Sequence, residues 1–133
     1  MSVQDNVQVV KSMYDAFGRG DLPGLLSSVT DDVDWEFIGP KQIPFAGNRL
    51  GKDGVAKFFA VLGETAEAKE FAVDQMVADG DIVVVLGHER FMVKATGREW
   101  TAHWAHVHVL RDHKLHRFRE HSDSAAILAA YSP

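Results

Sequence analysis

The stretch TAHWAHVHVLRDHKLHRFREH, residues 101–121, reads as two strands joined by a turn. Polar and apolar residues alternate through most of both halves, which is the pattern of a half-buried strand. Six of the seven histidines in the chain lie within this stretch. Because successive side chains of a strand point to opposite faces, what these histidines do depends on which of them share a face.

The second half of the chain extends this hairpin into a longer meander. Strand-forming residues recur between turn-forming dipeptides, which indicates antiparallel strands connected in chain order. We predict strands at about 69–78, 81–94, 98–111 and 114–122, with turns at ADGD (78–81) and ATGR (95–98).

The first half is mainly helical. Apolar residues at helical spacing predict a helix over 3–18, and Asp21 is a plausible N-cap for a short helix that runs to about Val29. The remaining predicted elements are a strand at DDVDWEFIG (31–39), a loop at PKQIPFAGNRLG (40–51), a helix over about 52–66 and a final helix at DSAAILAAY (123–131). Helices followed by a meander indicate a single α+β domain over residues 1–133, with helices against one face of a curved antiparallel sheet.

The composition of the chain argues against several classes of partner and functional site. The chain has 133 residues and a formal net charge of -5, and it contains no basic run, so neither nucleic acid nor an anionic membrane surface is an expected partner. It has no cysteine, which excludes disulfides, thiolate metal sites and cysteine nucleophiles and fits a cytoplasmic location. No signal peptide is visible, and no apolar run approaches the ~20 residues that span a bilayer.

The order of elements and three stretches of sequence carry a family resemblance. The stretches are YDAFGRGDLPGLLSSVTDDVDW (14–35), GKDGVAKFF (51–59) and KLHRFREHSDSAA (114–126). They resemble SnoaL-like and ketosteroid-isomerase-related proteins of the nuclear-transport-factor-two-like superfamily. The resemblance implies a cone-shaped α+β barrel in which the curved sheet wraps around N-terminal helices and encloses a pocket.

The same resemblance implies which face of each strand lines the pocket. Even-numbered residues of the last two strands would point inward: Ala102, Trp104, His106, His108, His116, Phe118, Glu120 and Ser122. Odd-numbered residues would point outward: Ala105, Val107, Val109, Arg117 and Arg119. An apolar outward row left wet in a monomer fits a homodimer. His113 falls in the turn, where we expect a left-handed backbone conformation at some energetic cost.

Three residues are candidates for catalysis. Glu120 lies where the resemblance places a catalytic aspartate, and an apolar pocket should raise its pKa toward a range useful for proton transfer. His106 or Trp104 is expected across from it, directly or diagonally, and His106 would serve as a proton shuttle or hydrogen-bond donor. Arg90, in HERFMV, resembles a pocket arginine of the epoxide-hydrolase branch. A structural Glu–His hydrogen bond and a surface position for Arg90 are the competing interpretations.

The pocket walls and the ligand follow from the same placement. The predicted substrate-binding residues are Tyr14, Trp35, Phe37, Phe59, Trp104, His108 and Phe118. They indicate a mostly apolar small-molecule ligand. The resemblance implies a cofactor-independent isomerase, cyclase or dehydratase that acts next to a carbonyl group. A ligand-binding or dimerisation module without turnover is the alternative.

Metal binding is the remaining possibility for the histidines. The spacing of His106 and His108 is one that zinc sites use, with His116 or Glu120 as a possible third ligand. No second, independent ligand motif accompanies it, and proteins of this family usually work without metal. We therefore expect neither a metal nor a cofactor.

Overall fold

The computed structural model describes residues 2–133. Ten elements follow one another along the chain: α1 (Val3–Gly18), α2 (Leu22–Leu26), β1 (Val29–Phe37), β2 (Gly47–Leu50), α3 (Gly51–Thr65), β3 (Ala66–Asp79), β4 (Ile82–Val93), β5 (Glu99–Arg111), β6 (Lys114–His121) and α4 (Ser124–Tyr131). This α+β architecture, with a curved and unclosed sheet, confirms the predicted fold.

Helix α1 begins at a capping box. The Ser2 hydroxyl accepts a hydrogen bond from the Asp5 backbone N–H, and the Asp5 carboxylate accepts one from the Ser2 backbone N–H. Gly20 follows the helix with φ +69°, a conformation that glycine adopts without strain. The buried face of α1 includes Val10 and Met13, so Tyr14, on the adjoining side of the helix, is directed toward the sheet.

The sheet has the strand order β2-β1-β6-β5-β4-β3. Strands β3 to β6 form the expected antiparallel meander, and β1 adds to its edge by pairing parallel to β6. Two local predictions were wrong. Residues 47–50 form strand β2 rather than loop, since they pair with β1, and α2 ends at Leu26 because Val29 already begins β1.

The two faces of the hairpin β5–β6 differ in burial as the alternation predicts. Ala102, Trp104, His106, His108, Phe118 and Glu120 are buried, whereas His103, Arg117 and His121 are exposed. Asp112 and His113, in the turn, have φ of 52° and 65°, so this connection does use the left-handed backbone expected at His113. The inner face therefore carries two histidines and one carboxyl group into the interior.

Candidate functional site

A cavity lies between the helices and the inner face of the sheet. The space between its lining side chains is about 610 Å³ when the open solvent at its mouth is counted with it. Its lining is dominated by aromatic side chains and contains few polar groups: Met13, Tyr14, Phe17, Leu25, Trp35, Phe45, Phe58, Phe59, Leu62, Phe71, Glu89, Phe91, Trp100, His106, His108, Phe118 and Glu120. An apolar enclosure with a few convergent polar groups is the usual form of a small-molecule site.

Tyr14 joins the two inward histidines. Its hydroxyl oxygen lies 2.6 Å from Nδ1 of His106 and 3.4 Å from Nε2 of His108. Burial raises the pKa of Tyr14 well above its ordinary value, and the charge of Glu120 adds to the effect. The hydroxyl therefore keeps its proton at neutral pH and is available to donate it to a ring nitrogen.

The tautomer of His108 follows from its backbone partner. Its Nδ1 lies 3.2 Å from the carbonyl oxygen of Val83, and a carbonyl only accepts hydrogen bonds. Nδ1 must therefore carry the proton, which leaves Nε2 as an acceptor facing Tyr14. Burial lowers the pKa of His108 to about 3, so its ring is neutral.

Glu120 and His106 meet inside the cavity. Oε2 of Glu120 lies 3.3 Å from Nε2 of His106, and both side chains are nearly inaccessible to solvent. The contact is close but not aligned as a hydrogen bond, since Nε2 has no hydrogen-bond partner of good geometry among residues 2–133.

Burial sets the charge of this pair. It raises the pKa of Glu120, against a smaller opposing effect of His121, because no solvent stabilises the carboxylate. It lowers the pKa of His106 to about 3 for the same reason. The pair therefore consists of a neutral imidazole and a carboxyl group that holds its proton more tightly than an exposed glutamate does, so it is not an ion pair.

The ring of His106 is held by aromatic stacking. It stacks on Trp104 with ring centroids 3.9 Å apart and on Tyr14 at 5.9 Å. Gly87, opposite Trp104 on the neighbouring strand, makes room for the indole: a Cβ there would overlap the Trp104 ring and the Ala72 carbonyl oxygen. Trp104 therefore packs against the His106 ring but does not itself line the cavity.

The structure brings together most of the predicted residues. The predicted catalytic residues Glu120 and His106 line the cavity. Apart from Trp104, six substrate-binding residues were predicted, and five of them also line it: Tyr14, Trp35, Phe59, His108 and Phe118. The exception is Phe37, which is buried against Phe45 and does not line the cavity.

Arg90 lies apart from the site. Its side chain is 44% exposed, and Nη1 lies 3.2 Å from both carboxylate oxygens of Glu99. Arg90 thus occupies the surface position that was the competing interpretation of the sequence, because even-numbered residues of β4 point outward. His116 is also outside the lining, with Nδ1 3.8 Å from Oδ1 of Asp32.

Sequence reasoning missed Glu89. This residue is 6% exposed, lines the cavity and accepts a hydrogen bond at 2.7 Å from Nε1 of Trp100. Its position shares the odd-numbered parity of Val83, Val85 and Phe91, all buried. That alternation was a signal from which its inward direction could have been found.

Over residues 2–133, no group of three or more His, Asp or Glu side chains is arranged to hold a metal ion. Within the same range, no helix is both long and apolar enough to cross a bilayer.

Comparison with known proteins gives a family and several similar structures. The sequence model of the SnoaL-like domain matches residues 10–118. An NTF2-like protein from Burkholderia xenovorans is 33% identical, with 99% of each chain covered and a TM-score of 0.91. An NTF2-like protein of unknown function from Burkholderia pseudomallei is 30% identical, with 100% of each chain covered and a TM-score of 0.87.

One further structure contains a ligand. TerC, co-crystallised with polyporic acid, is 25% identical, with 96% of this chain and 98% of TerC covered and a TM-score of 0.86. No curated protein matches the sequence significantly.

Proposed function

Since the chain belongs to the SnoaL-like family, we propose that it is a cofactor-independent enzyme that moves a proton next to a carbonyl group, as an isomerase, cyclase or dehydratase does. The observation that carries the proposal is the buried Glu120 carboxyl group 3.3 Å from a neutral His106. A poorly solvated carboxylate is a stronger base than an exposed one, which suits the removal of a proton from carbon at neutral pH.

The residues around Glu120 support a reversible transfer. When Glu120 is ionised, His106 would present Nε2–H to it while Tyr14 donates to Nδ1. When Glu120 is protonated, it would donate to Nε2, Nδ1–H would donate to the Tyr14 oxygen, and the Tyr14 hydroxyl would donate to Nε2 of His108. Either arrangement gives every proton of this hydrogen-bond chain an acceptor, so Glu120 can change protonation state without leaving a buried donor unsatisfied.

The ligand we propose is a mostly apolar, carbonyl-containing molecule. The aromatic lining offers apolar surface and ring faces, and its polar side-chain groups are the two carboxyl groups, the two histidines, the Tyr14 hydroxyl and the indole N–H groups of Trp35 and Trp100. TerC, which has the same fold and was crystallised with polyporic acid, supports the use of this cavity for a small organic ligand.

The experiment is proton exchange in heavy water. Purified protein is incubated with 2-tetralone, a bicyclic ketone with acidic C–H bonds, and loss of the α-proton signals is followed by NMR. We expect exchange above the buffer rate, reduced at least about 100-fold by Glu120→Gln and unchanged by Glu67→Gln, which alters an exposed carboxylate. Exchange that survives Glu120→Gln would contradict the assignment of the base.

A binding protein without turnover is the second candidate. The predominance of aromatic side chains in the lining favours it, because such a cavity retains ligands whether or not chemistry follows. A thermal-shift screen of small aromatic ketones and phenols identifies ligands by the stabilisation they give the native state. Ligands that bind equally to wild type and Glu120→Gln, without exchange, would favour this candidate.

The assembly we propose is a homodimer formed through the outer face of the sheet. Val84 and Val107 are paired across β4 and β5, and Val77, beside Val84 on β3, is 51% exposed. Ile82 and Leu86 on the same face are also exposed, so the monomer presents an apolar surface that a second copy would cover. The cytoplasmic location, which rests on the absence of cysteine, remains a prediction.

A further inference from the structure

Glu89 is the buried carboxyl group that the proposed function does not use. The alternation of β4 directs it into the cavity, whereas the adjacent Arg90 points outward to Glu99. Nε1 of Trp100 donates a hydrogen bond to Oε2 of Glu89 at 2.7 Å, and both side chains line the cavity. Glu89 is therefore held in a fixed orientation within the same enclosure as Glu120.

No positive charge faces Glu89. The titratable groups that share its cavity are Glu120, His106, His108 and Tyr14. Both imidazoles are neutral, since burial lowers each pKa to about 3, and Glu89 takes part in no salt bridge among residues 2–133. An ionised Glu89 would thus be a buried negative charge without a counter-ion, which is strongly unfavourable.

The two carboxyl groups also affect each other. Burial raises the pKa of Glu89, and the charge of Glu120 raises it further, whereas the hydrogen bond from Trp100 lowers it by a smaller amount. Two neighbouring carboxyl groups in an apolar site do not both ionise readily, so loss of the Glu120 proton makes Glu89 hold its own more tightly. At neutral pH one group can act as the base while the other remains an acid.

The contact with Trp100 distinguishes the two oxygens of Glu89. An N–H donor needs an acceptor, and the carbonyl oxygen of a protonated carboxyl group is the better acceptor. When Glu89 is protonated, Oε2 is therefore the carbonyl oxygen and Oε1 carries the proton. No hydrogen bond within residues 2–133 engages Oε1, so its O–H is available to a ligand.

We propose that Glu89 is a second functional acid of the site, whose Oε1–H donates a hydrogen bond to a ligand oxygen that carries or develops negative charge. The ligand class is accordingly a ring compound with an enolisable ketone or a phenol-type oxygen. This rests on the proposed function for its catalytic part. As Glu120 takes the proton from carbon, the C–H electron pair forms the enolate C=C bond and the carbonyl π electrons move to oxygen, where the Glu89 hydrogen bond stabilises them.

Binding of 2-naphthol tests the proposal without turnover. This phenol has the ring system of an enolised 2-tetralone, and naphthalene is the matched ligand without the oxygen. Calorimetric titration at neutral pH should show that wild type prefers 2-naphthol to naphthalene. Glu89→Leu should weaken 2-naphthol at least about tenfold while changing naphthalene less than about twofold, because one hydrogen bond is lost.

Glu89→Gln separates hydrogen bonding from charge. Its amide oxygen still accepts from Trp100 and its NH₂ still donates toward the ligand, so it should bind 2-naphthol more tightly than Glu89→Leu does. If Glu89→Leu does not fold, as judged by circular dichroism, Glu89→Met replaces it. The wild-type preference is measured independently of either variant.

Two results would overturn the proposal. One is a wild type that binds naphthalene as tightly as 2-naphthol. The other is an apolar variant that weakens both ligands equally, which would show that Glu89 only maintains the structure around Trp100. The test is independent of the exchange assay: naphthol binding that depends on Glu89 can persist in Glu120→Gln, and exchange that depends on Glu120 can persist without any effect of Glu89 on naphthol.

Discussion

Nε2 of His106 lies 3.3 Å from Oε2 of Glu120, and Nδ1 of the same ring lies 2.6 Å from the Tyr14 hydroxyl oxygen. The imidazole thus links a carboxyl group to a phenol within one buried chain of polar atoms. Since both nitrogens have a partner in reach, His106 can change tautomer without losing its contacts. The protonation state of Glu120 should therefore determine which nitrogen of His106 carries hydrogen.

The first prediction is a tautomer change of His106 that depends on Glu120. As pH rises through the ionisation of Glu120, the ¹⁵N NMR shifts of His106 should move from those of an Nδ1–H ring toward those of an Nε2–H ring. Glu120→Gln should abolish this movement. The exposed His103 serves as an internal control and should respond alike in both proteins. Identical His106 shifts in the two proteins would show that the residues do not share a proton.

The second prediction concerns stability against pH. Glu89 and Glu120 have pKa values raised from 4.5 in the folded protein, so folded protein binds more protons than unfolded above pH 4.5. Their contribution is present at low pH and is lost as pH rises through their folded pKa values. His106 and His108, with pKa values lowered from 6.5 to about 3, act oppositely: stability falls as pH drops below 6.5.

As pH rises from 4.5 to 6.5, the two glutamates lower the free energy of unfolding and the two histidines raise it, so the two effects should cancel in part. Stability should decline below pH 4.5 and above pH 6.5. Glu120→Gln isolates one component. Relative to wild type, its free energy of unfolding should rise with pH above 4.5, by up to about 1.4 kcal/mol per pH unit, because glutamine carries no proton to lose. Urea unfolding across the pH range measures this. A difference that is flat with pH would contradict the raised pKa of Glu120, and Glu67→Gln is the exposed control.

The third prediction tests the support of His106 by Trp104. Gly87→Ala should destabilise the protein by about 2 kcal/mol, since the new methyl group overlaps the Trp104 ring and the Ala72 carbonyl oxygen. Chemical unfolding gives the value, and tryptophan fluorescence reports the displaced indole. Gly63→Ala, in open space on α3, should instead be neutral or stabilising. Equal effects of the two substitutions would refute the packing argument.

The fourth prediction concerns assembly. Val107→Asp should convert a dimer to a monomer at micromolar concentration, because it places a charge in an apolar contact. The neighbouring Arg119 already contacts Asp34 and Glu36, so it is not free to neutralise the new aspartate. Val107→Thr keeps the branched shape without charge and should remain dimeric. Light scattering measures the mass of the particle in solution, and a monomeric wild type would contradict the proposed dimer.

The fifth prediction is that purified protein carries no stoichiometric metal. His108 directs Nδ1 to a backbone carbonyl and Nε2 toward Tyr14, and the nitrogens of His106 face Tyr14 and Glu120. Elemental analysis should find far less than one zinc per chain. About one zinc per chain that disappears in His106→Ala would show that these histidines are ligands.

The alternation of residues 101–121 determined much of the site. It separates buried His106, His108, Phe118 and Glu120 from exposed His103 and His121, since a strand of period two leaves one face for each parity. The turn chemistry and the helical spacing likewise gave the meander and the helices. Local regularities of this kind are set by neighbours along the chain, which is why they are visible in sequence.

Only the tertiary structure decided which groups meet. Tyr14 and His106 are 92 positions apart, and the contact depends on how α1 crosses the sheet. The alternation of β4 indicates that Glu89 is buried, but only the fold shows that this buried face lines the cavity that also holds Glu120. Phe37 packs against Phe45, from a segment predicted as loop, and does not line the cavity. The direction of the His106 pKa shift also required the fold: burial and a nearby carboxyl group oppose each other, and the complete enclosure of the ring makes burial the larger effect.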